Sequence, residues 1–362
     1  MRVLHVVGNL EIGGITRFVE WMTALNGTVE THHDVLLGTS SSPAEFESHA
    51  IRRSSELHLI DPRRGSTVRS VVMMWRLAKK YDAFFIHTAF PAVVLPLILN
   101  RKACLVFQHG MMPGRRSNVR RRLMKWWYSL LPAVLNAKIV CSTPEAYEKV
   151  IGMGIRLRGS DVAIVPFGIR LSPHRSAKAA PAYPGTLTVG MAGRLVPQKR
   201  HELVVQSLAE YKGRTPIKML IAGEGALRRR LKDMAATIKP IVNVELLGEV
   251  RDMRGFYDRI DLLLFPSRKE SFGLVVPEAF DRCVPVGVFR DVGGCLSLVR
   301  DRENGFVLND GIEGLTELWT LLDREPSILR TLSGNLEKTD LSSLSIAGTR
   351  EELERLAVGL TQ

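Results

Sequence analysis

Two glutamates eight positions apart, Glu270 and Glu278, lie in the stretch F-P-S-R-K-E-S-F-G-L-V-V-P-E, residues 265–278. The apolar run Leu262-Leu263-Leu264 before it predicts a buried parallel strand. A turn over Pro266 to Lys269 follows, and a helix start is expected across Ser271 to Leu274. Glu270 then sits where strand hands over to helix, and Glu278 lies about two turns further on. The backbone N–H groups of Phe272, Gly273 and Leu274 would be unpaired, because a helix start leaves its first donors free. A carboxylate beside such donors, at the carboxyl end of a strand, can hold hydroxyls and a phosphate together. That chemistry fits a nucleotide sugar. The same spacing also fits a capping carboxylate and a surface helix glutamate.

Four further stretches carry residues of the right type. Gly13-Gly14, within G-N-L-E-I-G-G-I-T-R (8–17), falls between the expected first strand and first helix, where backbone can approach a phosphate. It is not G-x-G-x-x-G, which speaks against a nicotinamide or flavin; a structural glycine turn remains open. His109, in C-L-V-F-Q-H-G (104–110), stands just past a buried strand and can hydrogen-bond a hydroxyl, or simply be a satisfied structural histidine. Arg194 and Lys199, in G-M-A-G-R-L-V-P-Q-K (190–199), follow another strand. An arginine fork and a lysine point charge there suit a diphosphate leaving group, and two solvated surface cations are the alternative. Gly223-Glu224-Gly225 offers a short close-approach turn before a basic helix.

These residues need a scaffold that gathers strand ends. In the first half, expected strands at Arg2–Val7, Asp34–Leu37, Glu56–Ile60, Ala83–Ile86, Cys104–Phe107, Lys138–Cys141 and Val162–Val165 alternate with helices at Ile15–Asn26, Val68–Lys80 and Arg120–Leu131. Leu171 to Thr186, with three prolines and no apolar period, reads as a linker. Strands at Leu187–Met191, Lys218–Ile221, Val242–Leu246, Leu262–Phe265 and Val284–Val288 resume the alternation, with helices at His201–Tyr211, Ala226–Ala236 and Val275–Arg282. The tail is helical over Ile312–Leu322, Pro326–Leu336 and Ile346–Leu360. The expectation is an α/β protein with two doubly wound Rossmann-like domains facing across a cleft. Its parts are residues 1–172, a linker at 173–186, a second domain at 187–345, and a C-terminal helix at 346–362 that could cross back to the first domain.

A chain of 362 residues, 45% hydrophobic and 24% charged, has material for two cores. Cys104, Cys141, Cys283 and Cys295 form no C-x-x-C pair, so buried thiols in a reducing compartment are expected rather than zinc. The start is too short for a secretory apolar region, and Ala89 to Leu99, the longest apolar stretch, is under spanning length and carries Pro91 and Pro96. A cytoplasmic protein follows from that reading. Charge is lopsided: residues 1–175 hold 24 Lys and Arg against 12 Asp and Glu, and the remainder 26 against 25. An anionic partner is expected for the first half only.

Taken together, the motifs resemble the large retaining glycosyltransferase family numbered four (glycosyl transferases group 1), with its GT-B fold. The resemblance runs through G-G-I-T-R, the strand-end H-G, G-R-x-x-x-x-K, G-E-G and E-S-F-G-L-x-x-x-E. It continues through Pro285-Val286, Gly293-Gly294 and Asn304-Gly305-Phe306. It implies that Arg194 and Lys199 bind the donor diphosphate and Glu278 the ribose hydroxyls. Glu270, with Ser271, Phe272, Gly273 and Leu274, would hold the transferred sugar. His109 would contact that sugar from the first domain, Gly14 would make room for donor and acceptor, and Gly223 and Glu224 would join the donor site. A UDP-sugar is the favoured donor and a saccharide or lipid-linked acceptor the favoured partner, in bacterial cell-surface polysaccharide or glycolipid synthesis. Retention would place the acceptor on the leaving-group face with a phosphate oxygen taking its proton, so Glu270 positions rather than attacks. No Asp-x-Asp stands out, and no metal or other cofactor is expected. Two positions depart from the family pattern: Cys283 stands where a glycine is usual, and Ser297 where a glutamate is usual.

The cationic excess peaks at G-R-R-S-N-V-R-R-R-L-M-K-W-W-Y-S-L-L (114–131). Arg115, Arg116, Arg120, Arg121, Arg122 and Lys125 precede Trp126 and Trp127. On a helix, Leu123, Trp127, Leu130 and Leu131 make an apolar stripe edged by cations, which suits an anionic membrane surface or an anionic acceptor. Core tryptophans with solvated arginines are the alternative, and nucleic acid is not expected because the cations do not track a stacking platform. Two rival functions stand beside the transferase. One is another GT-B activity (epimerase or phosphorylase); the other is a degenerate sugar-binding or assembly subunit.

Overall fold

Short runs of Val, Leu, Ile and Phe buried along their whole length are what parallel strands covered on both faces require. The chain has thirteen strands among its described residues, and four of them, Ala83–Ile86, Ala103–Gln108, Leu262–Phe265 and Val286–Phe289, are buried at every residue. In the computed structural model the described residues are 1–7, 14–26, 30–38, 56–60, 67–87, 91–109, 118–152, 154–177, 185–238 and 240–361. The chain divides into two units, Met1–Arg170 with Ser342–Gln362, and Leu171–Leu341.

The first unit runs β1 (Arg2–Val7), α1 (Gly14–Ala24), β2 (His32–Gly38), β3 (Leu57–Ile60), α2 (Thr67–Lys80), β4 (Ala83–Ile86), α3 (Pro91–Leu99), β5 (Ala103–Gln108), α4 (Asn118–Val134), β6 (Asn136–Cys141), α5 (Pro144–Gly152) and β7 (Val162–Ile164). Its seven strands are ordered β3-β2-β1-β4-β5-β6-β7, all parallel. The second unit runs β8 (Leu187–Ala192), α6 (His201–Ala209), β9 (Ile217–Ala222), α7 (Arg228–Ala235), β10 (Val242–Gly248), α8 (Met253–Asp258), β11 (Leu262–Phe265), α9 (Val275–Asp281), β12 (Val286–Phe289), β13 (Gly305–Leu308), α10 (Ile312–Arg324) and α11 (Ile328–Lys338). Its six strands are ordered β10-β9-β8-β11-β12-β13, again all parallel. Strand order therefore reverses at β1/β4 in one sheet and at β8/β11 in the other, the two switch points where such sheets open a crevice.

The strands at Arg2–Val7, Ala83–Ile86 and Leu262–Phe265 match their sequence expectations, and the others differ by a few residues at the ends. Four elements were not expected. β13 is only four residues long and opens with Gly305, while α3 holds Pro96 inside an apolar stretch that carries no helical period. Helices α5 and α8 are nine and six residues long, too short for a readable apolar face. The helix expected to begin between Ser271 and Leu274 begins instead at Val275, with Leu274 as N-cap and Gly273 at φ +73° before it. The strand expected from Val284 begins at Val286, because Cys283 turns the chain first at φ +54°. Its N–H bonds Phe280 O at 3.0 Å and that of Val284 bonds Ala279 O at 2.9 Å, closing α9 as a left-handed C-terminal turn. That conformation explains why a glycine is usual there. Cys283 is also fully buried, as are the other three cysteines.

The described start of the expected linker is bonded into the second unit. Ser172 N and Oγ donate to Asp281 at 2.8 and 2.6 Å, and Arg175 Nη1 donates to Thr339 O at 2.6 Å, all within the second unit. Residues 178–184 of the expected linker lie outside the described residues. The final helix, α12 (Ile346–Thr361), packs in the first unit. Its Arg350, 1% exposed, donates to Met22 O at 2.7 Å, to Thr31 O and to Glu354 Oε1 at 2.6 Å. A guanidinium taken out of water is costly unless every donor finds a partner, and here the backbone of α1 and the loop before β2 supplies them.

Candidate functional site

The second unit gathers its candidates at the β8/β11 switch point. Gly193, one residue past β8, has φ +143° and its N–H bonds Ala222 O at 2.9 Å. Gly223, one residue past β9, has φ +146° and bonds Gly248 O at 2.7 Å. A Cβ on Gly223 would collide with Gly193 O, and one on Gly225 would lie 2.6 Å from Leu195 O. Leu195 N–H reaches Glu224 O at 2.8 Å. The ends of β8, β9 and β10 are thus sewn together through backbone that only glycine permits.

From there a single 3₁₀ turn, Pro197–Lys199, folds the chain back past Gly193. Lys199 lies over the ring of Phe265, the last residue of β11, with Nζ 4.7 Å from the centroid. The same nitrogen donates to Glu270 Oε1 at 2.8 Å, with both side chains less than a fifth exposed. Gln198 Nε2 also approaches Glu270 Oε1, at 3.4 Å, and bonds Arg268 O at 3.1 Å; Arg268 N–H returns to Gln198 O at 2.9 Å. Glu270 is fixed from its other side by a parallel bridge to Gly293, its carbonyl accepting from Gly294 N–H at 2.9 Å. Lys199 and Glu270 thus join the loop after β8 to the loop after β11.

Behind them stands a second charge cluster that sequence reading missed. Arg200, left-handed at φ +53°, donates to Asp291 through both Nη atoms at 2.8 and 2.6 Å, and Arg268 Nε lies 3.2 Å from the same carboxylate. Burial pulls the Asp291 carboxyl up, but the two guanidiniums outweigh it and hold it below the usual range. Its only sequence signal was opposite charge 91 positions apart, which nothing local reveals.

Glu278 lies on the first turn of α9 and is 8% exposed, accepting from Tyr257 Oη on α8 at 2.7 Å. A buried carboxylate oriented by a phenol can meet a ligand hydroxyl without first shedding much water. Phe272 and Leu274 are buried, Ser271 and Gly273 half-buried. Gly273 packs so close to Phe265 that a Cβ would come within 2.8 Å of its ring. Arg194 is exposed just past Gly193. Glu224 pairs with Arg228 at 2.7 Å on the surface, where such pairs contribute little. Ser297, the other departure from the family pattern, donates to Gly294 O at 2.9 Å.

In the first unit, Gly14 is exposed at the start of α1, while Gly13 lies outside the described residues. His109 follows β5, stacked on Phe107 at 5.6 Å and on His87 at 4.8 Å. Burial pushes its imidazole down to about 3. Of the basic arm, Arg115 and Arg116 lie outside the described residues; so do the side chains of Arg120, Arg121 and Trp127, although helix α4 passes through them. Arg122 is exposed, Lys125 half-buried, and Trp126 is 63% exposed, while Leu131 is fully buried. Trp126 is therefore not a core tryptophan.

A family model described as glycosyl transferases group 1 matches residues 175–330, and one described as glycosyltransferase family 4 matches residues 12–172. The chain belongs to the family 4, group 1 glycosyltransferases. LpsB, a lipopolysaccharide core biosynthesis mannosyltransferase of Rhizobium meliloti, is 26% identical over 281 residues, covering 73% of this chain and 77% of LpsB. CapM, a capsular polysaccharide biosynthesis glycosyltransferase of Staphylococcus aureus, is 28% identical over 173 residues, 46% of this chain and 45% of CapM. The chain spans less than half the length of several curated relatives that it matches. Among solved structures, Anabaena Alr3699/HepE in complex with UDP superposes with a TM-score of 0.80 at 17% identity, over 99% of this chain and all of that one. The fold is the α/β GT-B class of this glycosyltransferase family. Among the described residues, no helix is long and apolar enough to cross a membrane.

Proposed function

We propose that this family member is an active, retaining and metal-independent glycosyltransferase. It moves a sugar from a nucleoside-diphosphate sugar, with UDP as the favoured nucleotide, to a saccharide or lipid-linked acceptor in cell-surface polysaccharide or glycolipid synthesis. The observation that carries the reading is the Lys199–Glu270 contact of 2.8 Å at the β8/β11 switch point, beside backbone held open by Gly193, Gly223 and Gly225. An ammonium has three donors and spends one on Glu270, so it can share the others with a phosphate oxygen.

In this reading Lys199 and Arg194 neutralise the diphosphate as it leaves, which is the work a metal does elsewhere. Glu270 and the Ser271–Leu274 backbone hold the transferred sugar. Glu278, oriented by Tyr257, takes the ribose hydroxyls, and Gly223 and Glu224 border the nucleotide. His109 and Gly14 serve from the first unit. The solved relative HepE binds UDP, and a UDP–glucose complex of it is also known, which supports a uridine donor. Transfer without a metal leaves the acceptor proton to a donor phosphate oxygen, which fits retention with Glu270 as a positioning group.

A thermal-shift and hydrolysis screen of UDP-, GDP- and ADP-sugars tests this, run with and without EDTA. The expected result is a shift with one nucleotide series and no effect of EDTA; strict dependence on added Mg²⁺ would count against it. The exposed Trp126 and Arg122 support peripheral docking of the first unit on an anionic cytoplasmic leaflet, each cation contributing about 1 kcal/mol. Vesicle co-sedimentation should recover more protein with anionic than with neutral lipid, and equal recovery would remove the membrane from the account.

A further inference from the structure

Four histidines of the first unit form one head-to-tail chain. His109 Nε2 lies 2.5 Å from His87 Nδ1, and His87 Nε2 lies 3.0 Å from His5 Nδ1. His5 Nε2 lies 2.8 Å from His33 Nδ1, and His33 Nε2 lies 3.0 Å from Glu354 Oε1 on α12. Sheet register produces this. His33 on β2 pairs with Val3, two residues before His5; His5 on β1 pairs with Phe85, two residues before His87. Phe85 on β4 in turn pairs with Leu105, four residues before His109. Each imidazole is therefore one strand over and two residues further along, so all four stand on the same face of the sheet.

Aromatic rings sheathe the chain. Phe85 meets His5 and His33 edge-on at 5.1 and 5.5 Å, Phe107 stacks on His87 at 4.5 Å, and Phe167 lies 5.1 Å from His109. Loss of water is the largest influence on every ring. It brings His33 to about 4 and His109 to about 3, and holds His5 and His87 well below the ordinary value. All four are neutral at pH 7. A neutral imidazole has one N–H and one lone pair, so fixing a single donor in the chain fixes them all.

Glu354 fixes it. Its carboxylate takes donors from His33, from Thr31 Oγ1 at 2.8 Å and from Arg350 Nε at 2.6 Å. Burial pulls it up, but these bonds outweigh the pull and hold it at about 2. An ionised carboxylate can only accept. His33 Nε2 must therefore carry its proton, His33 Nδ1 must accept from His5, and the same logic passes through His87 to His109. The last ring ends with Nε2–H donated inward and a lone pair on Nδ1, which no described residue bonds.

We propose that His87, His5, His33 and Glu354 are positioning residues that lock His109 in the Nε2–H tautomer, so that its Nδ1 is offered as an acceptor to a ligand hydroxyl. The inference deepens the glycosyltransferase reading and rests on it, the hydroxyl being one of the transferred sugar. It also selects: a phosphate or carbonyl oxygen brings only lone pairs and finds no donor at that nitrogen. The chain is not a metal site, because its ring nitrogens are used on one another and no cluster of three or more metal-ligating side chains occurs among the described residues. Nor is it a route for protons at neutral pH, since a proton passed along it would have to rest on Glu354, a weak base.

The test is tautomer assignment by long-range ¹H–¹⁵N spectra of the full chain with ¹⁵N-labelled histidine. All four rings should show the Nε2–H pattern between pH 6 and 8; an Nδ1–H pattern at His109, or a mixture, would overturn the proposal. In His5→Phe, which keeps an aromatic ring, His87 and His109 should become mixed while His33 on the Glu354 side stays Nε2–H. Unchanged tautomers at His87 and His109 in a folded His5→Phe would also overturn it. Should that variant not fold, Glu354→Leu and Glu354→Gln give the same comparison: the leucine frees the tautomers, and the glutamine, which keeps an acceptor oxygen, restores them. Transfer measured alongside should fall about tenfold in Glu354→Leu. If no nucleotide sugar is used even by the wild type while the tautomers are as expected, the transferase reading fails and the tautomer lock stands.

Discussion

The two units present opposite kinds of candidate site on the same kind of sheet. The second unit's is charged, less than a fifth exposed and set on a backbone frame: Lys199 and Glu270 face each other across loops that Gly193, Gly223 and Gly225 hold together. The first unit's is neutral, buried and built from side chains, with His109 at the end of a ring-to-ring chain running back to Glu354. The division suits a transfer reaction. The diphosphate needs charge that appears where the leaving group forms, whereas sugar hydroxyls need directional hydrogen bonds that do not titrate.

The contrast can be broken at its strongest point first. Gly223→Ala puts a Cβ against Gly193 O at φ +146°, and should cost about 4 kcal/mol in the second unit alone. Hydrogen exchange should show β8 and β9 opening while β1 and β4 keep their protection; equal loss in both units would contradict it.

Acid should do the reverse. His33 and His109, at about 4 and about 3, sit below the ordinary histidine value of 6.5. Between those limits the unfolded chain binds protons that the folded chain refuses, so stability falls as pH drops from 6.5. His33 alone accounts for roughly 3 kcal/mol by pH 4, and Glu354, at about 2, adds to the loss below 4.5 in the same direction. The second unit's counterpart is His201, pushed to about 4 by burial and by Lys199. The four rings of the chain, with His58 lowered by burial as well, against His201 mean that the first unit should lose amide protection first between pH 6 and 4. The opposite order would remove the histidine chain as the difference between them.

Glu270→Ala should act on chemistry rather than folding. Loss of one preorganised polar group should lower kcat by about 10²-fold, near 2.7 kcal/mol, with little change in melting temperature. A variant with full activity would leave Glu270 as a structural partner of Lys199 only.

How much was readable follows the same division. Lys199, Glu270 and the glycines could be found because each is tied to a strand end by a few local residues, and strand ends follow from short apolar runs. Glu278 was legible, but Tyr257, its partner, was not, since α8 is a single short helix. Asp291 and Arg200 escaped because their pairing depends on which strand neighbours which. His5, His33 and His87 looked like ordinary residues in or beside strands, and only the register places them diagonally on one face. Glu354 is 321 residues away from His33, and reaches it because α12 packs in the first unit. The helix at Val275 began later than expected because Gly273, at φ +73°, adds one more turn before it.

The central claim, that Lys199 beside Glu270 receives a donor diphosphate without a metal, is tested most directly by calorimetric titration of UDP. Wild type and Lys199→Ala would be compared in EDTA. The account expects the wild type to bind and the variant to be at least about tenfold weaker, as loss of a charge-assisted bond to phosphate requires. Equal affinity of the two, or wild-type binding only after Mg²⁺ is added, would contradict it.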